Sequence, residues 1–99
     1  MVTIKEAREW LRIDGTENDA IIEGLLLAAP GYIEIATGLS VTDQESEPLA
    51  DTVTKFLLTL WYYAEQSETD RLQRTIDSLL KTLTVVARER KVSETNTLG

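Results

Sequence analysis

The stretch Trp10-Leu11-Arg12-Ile13-Asp14-Gly15, followed from Ile21 by an apolar run to Tyr32-Ile33-Glu34 and Thr37-Gly38, decides the fold of this chain. It reads as a short helix broken at Gly15 and a longer helix stopped at Gly38. Upstream, Thr3 followed by Glu6 is a capping box, so the first helix should run from about Ile4 to Arg12. Ile4, Ala7 and Leu11 fall at i, i+3, i+7 and form its buried stripe, with Trp10 beside it to seal the edge of the core. Asp14-Gly15-Thr16 is turn chemistry, with Gly15 free to take positive φ.

The second helix should start near Asn18 or Asp19, where acids in the first turn suit the helix dipole. Its seam is Ile22, Leu25, Leu26, Ala29, Ile33 and Ala36. An interior proline removes a backbone donor at a cost of about 3 kcal/mol, so Pro30-Gly31 is expected to kink this helix without breaking it. Leu39 to Glu47 is a polar, acidic loop, and Pro48 suits the first position of a third helix over about Leu49 to Gln66. Leu49, Val53, Phe56, Leu57, Leu60, Trp61 and Ala64 make its main stripe. Leu58, Tyr62 and Tyr63 lie off that stripe, and a helix apolar on more than one side is either central in the core or covered by a partner.

Ser67-Glu68-Thr69-Asp70 reads as a hinge and cap. Leu72, Ile76, Leu79, Leu80 and Leu83 then carry a fourth helix to about Thr82 or Leu83. Thr82-Leu83-Thr84-Val85-Val86 alternates and is β-branched, which suggests an extended segment, and the polar stretch from Val92 to Gly99 should be mobile. The expected architecture is all-α: a small antiparallel bundle of about four helices over residues 1–83, with a flexible C-terminal arm over 84–99 that is partly extended or disordered.

The bulk composition sets limits on function. Ninety-nine residues make one domain with a modest core that gains from oligomerisation. No apolar run approaches the roughly 18 residues expected of a bilayer span, and Met1-Val2-Thr3 begins no signal peptide, so no membrane role is expected. The chain reads as cytosolic at synthesis. It has no cysteine and no histidine, which excludes disulfides, an ordinary catalytic triad and a zinc site of the usual ligands. Acids at Asp43, Glu45 and Glu47 could in principle hold a hard cation, but Asp43-Gln44-Glu45-Ser46-Glu47 lacks the glycine and distal glutamate of an EF-hand loop. No cofactor and no enzymatic activity are expected.

Net charge is −7, and its distribution is uneven. Between Arg12 and Lys55 there is no basic residue and nine acids: Asp14, Glu17, Asp19, Glu23, Glu34, Asp43, Glu45, Glu47 and Asp51. From Arg71 to Lys91 six basic residues face only Asp77 and Glu89. Two arrangements satisfy this segregation. The acidic and basic regions can pair within one molecule, or the basic end of one copy can meet the acidic belt of the next. An acidic chain repels the phosphate backbone, which disfavours DNA binding by affinity.

The order of these packing patterns resembles one family. The pattern of Leu11-Arg12-Ile13-Asp14, then Ala28-Ala29, Tyr32-Ile33-Glu34 and Thr37-Gly38, then Leu57, Leu60-Trp61-Tyr62-Tyr63-Ala64-Glu65 and Leu79-Leu80, is similar to the small head–tail connector (head-completion) proteins of long-tailed bacteriophages. The likeness covers residues 3 to 83. It departs from the family at Pro30-Gly31, inside an otherwise continuous helix, and at Glu65-Gln66, where an arginine is common.

The resemblance implies a structural virion protein of the head–tail neck, assembled in the host cytoplasm or encoded by a prophage. It implies a ring of about a dozen copies between the portal and the stopper or tail-completion protein, with DNA passing through unbound. On that view Leu58, Tyr62, Tyr63, Arg88, Arg90 and Lys91 would meet neighbouring subunits. Asp43, Glu45, Glu47 and Asp51 would face the channel or a docking partner. The alternative from a different class is a small acidic adaptor or regulator that binds one basic protein partner by imitating DNA charge. A third is a helical DNA-binding regulator.

Overall fold

The computed structural model describes residues 1–63 and 69–98, all helices and short connections. Helix α1 spans Ile4–Leu11, α2 Asp19–Thr37, α3 Val41–Gln44, α4 Pro48–Tyr62 and α5 Thr69–Leu98. The expected all-α bundle is what forms, with no strand among the described residues.

Local chemistry sets the helix ends. The Thr3 hydroxyl accepts the Glu6 backbone N–H at 3.2 Å, and the Glu6 carboxylate accepts the Thr3 backbone N–H at 3.2 Å, which completes the capping box. The first helix stops at Arg12, which takes a left-handed conformation with φ 59° while the Ile13 N–H bonds back to the Arg8 carbonyl at 2.9 Å. Gly38 closes α2 at φ 84°, and its N–H donates to the Glu34 carbonyl. Pro48 opens α4, with Glu47 as the N-cap accepting the Leu49 N–H at 3.4 Å.

Two expectations about connections are corrected. The loop from Leu39 to Glu47 contains a helical turn, α3, whose N-cap Ser40 accepts the Asp43 N–H at 3.1 Å. This turn buries Gln44, whose amide donates to the Pro30 carbonyl at 2.9 Å and to the Leu39 carbonyl at 3.0 Å. The polar loop therefore docks on the middle of α2, which runs as one helix through the buried Pro30. The second correction concerns residues 84–98, which continue α5 as helix. β-Branched residues cost a helix only tenths of a kcal/mol each, and Leu83 and Ala87 bury one turn apart against the core, which outweighs that cost. The Thr84 hydroxyl adds a bond to the Leu80 carbonyl at 2.8 Å. Ala64 to Glu68, and so part of the anticipated hinge, lie outside the described residues.

Helix α4 is the hub and packs against α1, α2, α3 and α5, while α2 and α5 also touch each other. The larger core joins Ala29 and Ile33 of α2, Val53 and Leu57 of α4, and Ile76, Leu80, Leu83 and Ala87 of α5. A smaller core gathers Ala7 and Leu11 of α1, Ile22 of α2 and Leu58 of α4. Asn18 at the start of α2 bonds Tyr62 at the end of α4, so these two helices run antiparallel. Arg90, late in α5, reaches Glu47 at the start of α4, so α5 is antiparallel to α4 and parallel to α2.

Candidate assembly surface

The four acids expected at a channel or docking surface come together at the α3–α4 corner, and the chain itself engages three of them. Arg90 sits 3.3 Å from Glu47 and 4.0 Å from Asp43, and donates to the Ser46 hydroxyl at 3.3 Å. Asp51 lies 3.7 Å from the N-terminal ammonium. Glu45 is exposed, with no ion pair among the described residues. Part of the charge segregation is thus satisfied within one molecule, and Arg90 serves this contact. Arg88 and Lys91 are both exposed. Among the described residues no three carboxylates converge in a way that would hold a metal ion.

The three residues off the main stripe of α4 separate in the structure. Leu58 is fully buried between α1, α2 and α4, so it has no surface to offer a neighbour and is a core residue of the single chain. Periodicity along α4 could not show this, because α1 covers a second side of the helix. Tyr62 and Tyr63 are half-buried and meet edge to face at 4.9 Å between ring centroids. Each keeps a polar link to the N-terminal elements: Tyr62 accepts from the Asn18 amide at 2.8 Å, and the Tyr63 hydroxyl donates to the Leu11 carbonyl at 2.8 Å. They fasten α1 and its turn to α4 and still present an edge to solvent.

Trp10 does the same from the other side. Its indole N–H donates to the Thr59 hydroxyl at 2.7 Å, its ring meets Phe56 edge to face at 5.5 Å, and the Lys55 ammonium lies 5.8 Å from the ring centroid. A further ion pair by distance joins α1 to the start of α2, Arg8 Nε to Asp19 Oδ1 at 3.2 Å, though without the alignment of a hydrogen bond.

The surface that sequence reasoning missed is the outer side of α2. Leu27 is 82% exposed and Ile35 89%, with Ile21 also in solvent. Ala20, Gly24 and Ala28 complete this side, and no charge interrupts it. The expected seam holds for Ile22, Ala29 and Ile33, while Ala36 turns outward. The sequence did carry the signal. This helix has no basic residue, and by length and composition alone it is apolar enough to cross a membrane, with a mean hydropathy of 1.4, contrary to the expectation of no such run. The same composition arises where one face of a helix is core and the opposite face is held for a partner. A large aliphatic side chain left in water forfeits about 1.5–3 kcal/mol of burial, which makes this apolar side the candidate contact surface of the molecule.

Compared with known families, the chain matches the one described as phage gp6-like head-tail connector protein over residues 1–90. No curated protein and no solved structure matches it.

Proposed function

This chain belongs to the phage gp6-like head-tail connector family, a structural component of the virion neck, and we propose that it acts there as a self-assembling ring. Copies of the chain close on one another between the portal and the stopper or tail-completion protein, and extend the channel through which DNA passes. The observation that carries this reading is the uncovered apolar side of α2. The core of the chain is already closed by α4, and Leu27 and Ile35 stand exposed outside it, where a second copy could cover them.

The electrostatics support the same role. Each copy contributes a net charge of −7, so a closed ring would surround DNA with a repulsive field and let it slide. Glu45, together with Asp43, Glu47 and Asp51 at the same corner, is the group proposed to face the lumen or the docking partner. Tyr62, Tyr63 and Arg88 are proposed to stand at the margins of a subunit contact.

Light scattering coupled to gel filtration over a wide concentration range, with negative-stain images of any large species, tests the proposal. Co-sedimentation with portal-bearing heads covers assembly that needs a template. Closed rings in either setting are the expected result. A tight dimer at every concentration that ignores portal-bearing heads overturns the ring and favours an adaptor for a single partner.

A further inference from the structure

We infer that one repeated contact builds this ring, in which the outer side of α2 on one copy packs against the outer side of α5 on the next. The inference rests on the self-assembly proposed above and names the surfaces that meet. Because α2 and α5 both pack on α4 and on each other, their uncovered sides look out in different directions. A contact between two different surfaces of identical chains, set at an angle, is the kind that closes into a ring.

The two sides are complementary. Along one border of the apolar side of α2 stand Glu23 and Glu34, both exposed and without an ion pair among the described residues. Along one border of α5 stand Arg74, Lys81 and Arg88, spaced every seven residues, exposed and likewise unpaired. At 1.5 Å per residue the two acids span about 16 Å and the basic row about 21 Å, so the row reaches both acids whichever way the helices run. Beside the row lie Ser78 and the half-exposed Val85, a shallow strip that large aliphatic side chains can cover.

Gly24 and Gly31 point the same way. A glycine inside a helix costs about 1 kcal/mol relative to alanine. A Cβ at either position would meet nothing within 4 Å, so no contact within the chain demands these glycines. They lie seven residues apart on the outer side of α2, where they allow another helix to approach closely.

Other occupants fit less well. A twofold contact between two α2 helices would bring the acids of both copies to one seam with no cation, since α2 has no basic residue. A helix lying on a lipid surface usually carries Lys or Arg along its polar border, and this border is acidic.

The chain has no cysteine, so a pair of single variants gives a direct test. Ala28→Cys lies midway between the two acids, and Ser78→Cys midway between Arg74 and Lys81. Both are near-isosteric changes at exposed sites. The two full-length variants are mixed, assembled where the wild type forms rings (free or on portal-bearing heads), and oxidised. The expected product is a disulfide between positions 28 and 78 of different copies, dominant in the mixture. Rings that form without that link overturn the α2–α5 contact and leave the connector role standing. Dimers of Ala28→Cys alone assign the face to a twofold contact instead, and flotation of the wild type with phosphatidylcholine vesicles assigns it to lipid. Absence of rings in every setting removes the proposed function itself. As a second variant set, reversing Glu23 and Glu34 to Lys should abolish assembly, and adding Arg74→Glu and Lys81→Glu should restore it. Failure to restore rejects the pairing.

Discussion

Arg90, in the C-terminal half of α5, sits 3.3 Å from Glu47, the N-cap of α4, and so closes the long helix onto the corner where the acidic belt gathers. The pair is partly exposed, with the Arg90 side chain at 32% and Glu47 at 19%. It locates a fraction of the chain's charge segregation inside one molecule.

Arg90→Ala is expected to cost under about 1 kcal/mol, and less at high salt, because an ion pair this exposed is well screened. Glu47→Ala should cost more, about 1–2 kcal/mol, since it removes the helix cap as well as the pair. Urea unfolding of both variants at two salt concentrations gives the comparison. Equal, salt-independent losses would show that the pair has no part in stability.

Leu58→Ala should destabilise the isolated chain by about 2–5 kcal/mol, the range for a cavity in a packed core. Thermal unfolding of dilute protein, where no ring forms, reads this directly. A variant as stable as the wild type but unable to assemble would return Leu58 to the subunit interface.

Arg12→Gly should raise stability by about 0.5–1 kcal/mol. A non-glycine residue at φ 59° carries a steric cost that glycine avoids, and glycine is the common residue at such a helix end. A lower midpoint in denaturant would mean that the Arg12 side chain contributes more than its backbone costs.

The Glu6 carboxyl is held below its ordinary value, first by the Thr3 backbone N–H and then by the Thr3 hydroxyl. A carboxylate whose folded pKa is depressed adds stability above its unfolded pKa and loses it as pH falls through the folded value. Glu6→Gln keeps an acceptor but no charge, so it should be less stable than the wild type at neutral pH. The gap should close on acidification to about pH 3, below the ordinary carboxylate range. Denaturation curves at both pH values decide it, and a constant gap would rule out the charge as its source.

Much of the fold was legible because its signals are local. The Thr3–Glu6 box, the stop at Gly38 and Pro48 at a helix start all act within about one turn, and each works in the structure as its residue type requires. The buried stripes were legible where a helix has a single partner, as with Ala7 and Leu11 or Ile76, Leu80 and Leu83. The turn of α3 and the helix beyond Thr82 were not. Their local preferences are weak, and burial of Gln44 and Ala87 by distant residues overrides them.

By itself the sequence determined α1, α2, α4 and the first half of α5, the segregation of charge and the resemblance to a connector family that the match over residues 1–90 bears out. Only the tertiary structure decided which apolar sides are used up inside one chain and which are left over. Periodicity reports that a helix has an apolar side but not what lies across from it. Packing of α1 over α4 therefore buried Leu58, while nothing among the described residues covered Leu27 and Ile35 on α2.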